Sequence, residues 1–168
     1  MPLIPDKAAF QNSLVSLPLV TYQPGETVIV DGSTTGRLLI LKKGNVAVVK
    51  EDTEIATVAE PGAVFGELSI LLDKPHTADV RALETSQFHV ADASALLTQN
   101  PTAVFYIATV LARRLDGANQ ALVQLKHQLS TGAPHSVITK TVSKLEGLLA
   151  GGAPKRRSSI RANINFRS

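Results

Sequence analysis

The chain has no cysteine, no tryptophan and one methionine, and only 4% of its 168 residues are aromatic. Without thiols there is no disulfide framework and no cysteine-based catalysis. With so few rings, any core must be built from aliphatic side chains, and the 44% hydrophobic content suffices for one such core. No apolar run approaches the roughly 18 residues of a membrane span. The longest, Ala103–Ala112, ends at Arg113-Arg114. The first residues lack a basic stretch followed by an apolar one, so no secretory signal is expected and the expected location is cytoplasmic. The four histidines, His76, His89, His127 and His135, are scattered with no His-x-His pair. There is also no P-loop and no nucleophile–base pair, so no metal site is expected, no cofactor and no enzyme activity.

Charge is unevenly distributed. Residues 1–129 carry 10 Lys+Arg against 13 Asp+Glu, whereas residues 130–168 carry 7 against 1. The basic balance therefore belongs to the C-terminal segment, which disfavours a uniformly basic nucleic-acid-binding domain.

What is present is a series of short β-type runs separated by turn residues. The runs are Leu19–Tyr22, Thr27–Val30, Arg37–Lys42, Asn45–Glu51, Glu54–Ala59, Val64–Phe65, Thr77–Ala82 and Gln87–Ala91. Pro24-Gly25, Asp31-Gly32, Lys43-Gly44 and Pro61-Gly62 punctuate them, and each glycine suits a backbone with positive φ. Val46 and Val48 alternate with polar or small neighbours and share one face. Eight short strands with regular turns predict a mainly β architecture, an eight-stranded, jelly-roll-like β-roll. Ala8–Ser16 reads as a short flanking helix with Phe10, Leu14 and Val15 on one side, ended by Pro18.

Near Ser94 the period changes. Val104, Ala108, Leu111, Leu115, Ala118, Leu122, Leu125 and Leu129 are spaced by alternating steps of four and three, a heptad seam. It predicts a long C-terminal helix over about 101–129, with Asn100 as N-cap and Pro101 in the first turn. The seam either packs along the roll or meets another helix. A seam about 39 Å long outruns a small roll, so its outer half is expected to pair with a second copy in a homodimer through Val104–Leu129. After Leu129 come a linker, a short helix from Ser136 to Ala150 with Ile138, Val142, Leu145 and Leu149 on one stripe, and a basic tail that reads as disordered. The expected organisation is thus one domain over 1–129 and an appendage over 130–168.

The most informative stretch is Phe65–Val80. It reads as a strand end, a glycine, a helical turn bearing Glu67, a tight turn at Asp73–Pro75, and a new strand. A helix start aims free backbone N–H groups at one spot and suits an anion. Glu67 beside that spot suits a ligand that also offers a hydroxyl donor; alternatively its carboxylate caps local N–H groups. His76 is either a ligand donor or an ordinary turn residue. Lys74 lies on a turn and could reach the same spot, whereas Arg81 has strand parity opposite to His76 and should point to the other face.

The stretch Phe65-Gly66-Glu67-Leu68, followed by Pro75-His76-Thr77-Ala78-Asp79-Val80, resembles the phosphate-binding cassette of cyclic-nucleotide-binding domains. Pro24-Gly25-Glu26, Gly32 and Lys43-Gly44-x-Val46 sit at the spacing of that family's other turn glycines. The resemblance covers roughly 110 residues, from about Tyr22 to Leu129. The long helix, with Leu111-Ala-Arg-Arg-Leu and Asn119-Gln-Ala-Leu, is similar to the dimerisation helix of Crp/Fnr-type regulators. The resemblance implies a stand-alone sensor whose ligand is cAMP or cGMP and which signals to an effector protein through the long helix. It implies that Glu67 accepts a bond from the ribose 2′-hydroxyl, that the backbone at Gly66, Leu68 and Ser69 faces the phosphate, and that Thr77 and Ala78 line it.

The family's phosphate-gripping arginine falls on His76. Histidine offers one donor where arginine offers a charged fork. Its loss should cost about 1.5–3 kcal/mol, roughly one to two decades of affinity. This departure supports an alternative, a degenerate interaction domain of the same fold that binds no cyclic nucleotide. A further alternative is a Crp/Fnr-like regulator lacking its own DNA-binding domain. Only 39 residues follow Leu129, too few for a winged helix-turn-helix, so sequence-specific DNA binding is not expected.

Overall fold

The computed structural model describes residues 6–149. The basic cluster Lys155-Arg156-Arg157 and Ser158-Ser159 lie outside the described residues.

Eight strands form, each overlapping one of the predicted runs. They are β1 (Leu19–Tyr22), β2 (Thr27–Ile29), β3 (Arg37–Lys43), β4 (Val46–Lys50), β5 (Thr53–Val58), β6 (Val64–Phe65), β7 (Asp79–Ala82) and β8 (Ser86–Asp92). They assemble into two antiparallel sheets, ordered β1-β8-β3-β6 and β2-β7-β4-β5. The turn glycines Gly25, Gly32, Gly44 and Gly62 all have positive φ, between 77° and 114°. At Gly44 the requirement is also spatial, because a Cβ would lie 2.6 Å from the Ser86 Cα.

The core lies on both sides of β3. Leu39 and Leu41 point into the roll with Val46, Val48, Val58, Phe65, Val80 and Phe88. Leu38 and Ile40 point the other way, onto a helical layer. Opposite faces buried along one strand explain why Leu38-Leu-Ile-Leu41 is a continuous apolar run rather than an alternating one.

The helical layer consists of α1 (Lys7–Ser13), α3 (Ala93–Gln99) and the start of α4 (Pro101–Ser130). Asp6 caps α1 by accepting from the Ala9 amide at 2.7 Å. Phe10 and Leu14 are buried as expected, but Val15 is 76% exposed. The reason is that α1 ends at Ser13, so Val15 leaves the helical stripe. Phe10 stacks on Tyr106 of α4 with centroids 3.8 Å apart. The chain then turns by 104° between α3 and α4. Asn100 caps α4 by accepting from Ala103 N, with Pro101 in its first turn.

The face of α4 that packs inward carries Ala103, Ile107, Ala121 and Gln128. It is not the heptad seam, of which Val104, Leu115, Leu122 and Leu129 are exposed. The second half of α4 is covered by α5 (His135–Leu149), which also touches β5. Gly117 provides the close approach, since a Cβ there would lie 3.1 Å from both Leu148 methyl carbons. Leu148 is accordingly the buried leucine at the end of α5, and Leu149, predicted on the inward stripe, is 63% exposed. No single described helix is long and apolar enough to cross a membrane.

Candidate functional site

The Phe65–Val80 stretch folds around one glycine. β6 ends at Gly66, whose φ is +91° and whose Cβ position would fall 2.8 Å from the Arg37 carbonyl oxygen. Only a residue without a side chain fits both demands. Gly66 then opens α2 (Glu67–Leu71), in which Ile70 N–H bonds the Gly66 carbonyl at 3.3 Å. The Glu67, Leu68 and Ser69 amides precede that first intrahelical bond.

The loop after α2 is closed by its own side chains. Ser69 is buried and donates its hydroxyl to the Lys74 carbonyl at 2.5 Å, while Lys74 N–H returns a 3.0 Å bond to the Ser69 carbonyl. Asp73 takes φ +48° at the corner. His76 N–H donates to Ser33 O at 2.9 Å, and Gly32 N–H donates to His76 O at 2.8 Å, tying the loop to the β2–β3 turn. Asp31 N–H donates to the Asp79 carboxylate at 2.7 Å. That bond, with the Arg81 guanidinium at 2.7 Å, holds the Asp79 carboxyl below its usual range.

These elements enclose a cavity of about 330 Å³, within the range of roughly 300–1,000 Å³ typical of ligand sites. All seven residues singled out from the sequence, Gly66, Glu67, Leu68, Ser69, His76, Thr77 and Ala78, line it. Ile29, Val48, Ile55 and Val80 supply an apolar floor, and Lys50 and Lys74 line it as well. Arg81 does not; its guanidinium is bound to Asp79, in keeping with its strand parity.

Two side chains behave differently from the sequence alternatives. Glu67 does not cap backbone amides. Its Oε1 is paired with Arg114 Nη1 of α4 at 2.5 Å, with the two side chains only 7% and 11% exposed. Arg114 Nη2 also donates to the Val64 carbonyl at 3.4 Å. Among the described residues Glu67 Oε2 accepts no hydrogen bond, so one carboxylate oxygen remains for a ligand. His76 is not an ordinary turn residue, being only 7% exposed. Its Nε2 lies 3.2 Å from Thr35 Oγ1 and its ring packs on Gly66. Burial pushes its pKa below the ordinary imidazole value, and the charge of Glu67 only partly opposes this. Burial thus disfavours the charged ring.

Arg114 was not singled out from the sequence. It lies 47 residues beyond Glu67, on an element read for its apolar seam and its similarity to a dimerisation helix, and the Leu111-Ala-Arg-Arg-Leu run gave it no part in the cavity. Glu146 and Leu149 of α5 complete the cavity wall and were equally unannounced. Among the described residues no group of three or more His, Asp or Glu could hold a metal ion.

Comparisons agree with the geometry. Residues 19–99 match the sequence profile of the cyclic nucleotide-binding domain. Over 65 residues the chain is 40% identical to a cGMP-dependent protein kinase of Plasmodium berghei, covering 39% of this chain and 8% of the kinase. Over 143 residues it is 28% identical to the CRP-like cAMP-activated global transcriptional regulator of Mycobacterium tuberculosis, covering 80% of this chain and 62% of the regulator. The chain thus spans less than two thirds of either relative. The fold is similar to that of the Thermus thermophilus catabolite activator protein, with a TM-score of 0.57 at 19% identity over 86% of this chain and 82% of that one.

Proposed function

Because residues 19–99 match the cyclic nucleotide-binding domain profile, we propose that the chain belongs to that family and is a regulatory sensor that binds cAMP or cGMP in the Phe65–Val80 cavity. The observation that carries this reading is the convergence of backbone donors at Gly66–Ser69, the half-engaged carboxylate of Glu67 and the guanidinium of Arg114 on one cavity. A cyclic nucleotide matches such a set. Its phosphate takes the amides and the positive charges, and its ribose hydroxyl donates to Glu67 Oε2.

Arg114 also answers the missing family arginine in part. It supplies a permanent positive charge to the cavity from α4, where the family's arginine position holds an imidazole whose charged form burial disfavours. Ligand contacts to Glu67 are thereby linked to α4, the helix that we propose passes the signal to an effector protein. The exposed seam of Val104, Leu115, Leu122 and Leu129 is the surface through which we propose that two copies pair.

Calorimetric titration with cAMP and cGMP tests the binding. Heat that saturates at micromolar to millimolar ligand supports it, and no heat at millimolar concentration refutes it. His76→Arg should tighten binding roughly 10- to 100-fold by restoring a charge-assisted fork.

A second reading is a degenerate interaction domain. It draws on the internal satisfaction of two key groups, His76 by Thr35 and Glu67 by Arg114. Failure of both the native chain and the His76→Arg variant to bind either nucleotide would favour it.

A further inference from the structure

The β2–β3 turn meets the cavity loop at three points around one residue. His76 N–H donates to the Ser33 carbonyl at 2.9 Å, Gly32 N–H donates to the His76 carbonyl at 2.8 Å, and Thr35 Oγ1 stands 3.2 Å from His76 Nε2. The two backbone bonds keep the Thr35 hydroxyl in register with the imidazole ring. Thr35 does not line the cavity itself, so it bears on the cavity through His76.

Because burial disfavours the charged ring, what His76 can offer a ligand depends on which nitrogen holds its single proton. A neutral imidazole has one N–H and one bare lone pair, and the hydrogen bond made by one nitrogen fixes the role of the other. A threonine hydroxyl has one hydrogen and two lone pairs. One lone pair of Thr35 Oγ1 accepts the Arg37 amide at 3.3 Å. Its one other hydrogen-bond contact among the described residues is His76 Nε2. With the hydroxyl hydrogen directed to Nε2, the ring proton sits on Nδ1. The opposite tautomer would leave the hydroxyl hydrogen without an acceptor among the described residues and put a bare lone pair, which repels an anion, on Nδ1.

Nδ1 makes no hydrogen bond among the described residues, yet it is not sealed from solvent. His76 as a whole is only 7% exposed and lines the cavity, so the cavity is the opening that Nδ1 reaches. Resting on the nucleotide reading above, we propose that Thr35 is a positioning residue whose hydroxyl donates to Nε2 and thereby sets the proton on Nδ1, where neutral His76 donates to the ligand's phosphate. The bond that satisfies one edge of the ring equips the other. It replaces one arm of an arginine fork without requiring a charge.

Long-range proton–nitrogen correlation spectra of the full chain, free of ligand at about pH 8 where histidine is neutral, read the tautomer directly. The His76 signals are those lost in His76→Asn. The expected pattern is a protonated Nδ1 and a bare Nε2. Thr35→Val, which keeps the side-chain shape without the hydroxyl, should move the proton wholly or partly to Nε2, and Thr35→Ser should restore the Nδ1–H pattern. In calorimetry Thr35→Val should bind cAMP and cGMP about 2- to 10-fold more weakly, the worth of one neutral hydrogen bond, and Thr35→Ser should recover most of that loss. A ring protonated on Nε2 in the unsubstituted chain, an Nδ1–H pattern that survives Thr35→Val, or nucleotide affinities that Thr35→Val leaves unchanged would each overturn the assignment while leaving nucleotide binding standing. If neither nucleotide binds the unsubstituted chain at millimolar concentration, the nucleotide reading falls and the donor role with it, whereas the spectra still decide the tautomer.

Discussion

Removing the guanidinium of Arg114 tests how the long helix is joined to the loop. The Glu67–Arg114 pair is nearly dry, with side chains 7% and 11% exposed and a separation of 2.5 Å. For an exposed pair the expected contribution would be no more than about 1 kcal/mol. A buried pair that loses one partner instead leaves an uncompensated charge out of water, at a cost of about 3–5 kcal/mol. Arg114→Met keeps most of the side-chain volume and should incur that cost. For a domain of this size the cost corresponds to a fall in Tm of roughly 6–20 °C. Glu67→Gln alone should also destabilise, because it strands the arginine. The double variant Glu67→Gln/Arg114→Met removes both charges together and should recover much of the loss. Urea denaturation of all four proteins closes a double-mutant cycle, and the expected coupling is about 2 kcal/mol or more. Additivity within about 0.5 kcal/mol would refute the buried-pair reasoning.

Three further outcomes follow from features of the fold. Gly66→Ala forces a Cβ to within 2.8 Å of the Arg37 carbonyl at a φ of +91°, and should cost about 1–3 kcal/mol in urea denaturation; an unchanged midpoint would contradict that geometry. Burial lowers the pKa of His76 and of His89, the latter helped by the charge of Lys42. Because the unfolded chain then binds more protons just below its own imidazole pKa, stability is whole above about pH 6.5 and is lost as pH falls below it. The Tm of the ligand-free protein should therefore rise from pH 5 to pH 7, and His76→Asn together with His89→Asn should flatten that slope. Leu115→Glu/Leu122→Glu alters side chains that are 63% and 44% exposed. Sedimentation should show a dimer converted to monomer with little change in Tm, and a native chain that sediments as a monomer removes the pairing surface.

The β-roll was legible because its turns are written in the chain. Four glycines at positive φ separate the strands, and the alternation in Val46–Val48 and the double-sided run Leu38–Leu41 mark which faces are buried. The cavity residues of the loop were legible through a contiguous motif. Arg114 and Glu146 were not, since they reach the cavity from helices whose orientation depends on tertiary packing. The seam of α4 shows the same limit. Its heptad spacing predicts a helix, but which face turns inward is decided by how closely Ala103, Ala121 and Gly117 let neighbouring elements approach. Small residues of this kind carry little weight in an apolar pattern. Likewise Leu148, not Leu149, points inward because Gly117 leaves room for its methyl groups.

Arg114 and Leu115 are consecutive residues of one continuous helix. The first is hydrogen-bonded to the carboxylate in the cavity, and the second stands 63% exposed on the outer seam of the helix. About 100° of helical turn separates them, and their side chains reach a radius of about 5–6 Å from the axis. Were α4 to turn as one body, a roll of some 10° about its axis would carry the tip of Leu115 about 1 Å around an arc. On the proposed signalling role, a change at Glu67 would reach the outer seam through a single continuous helix.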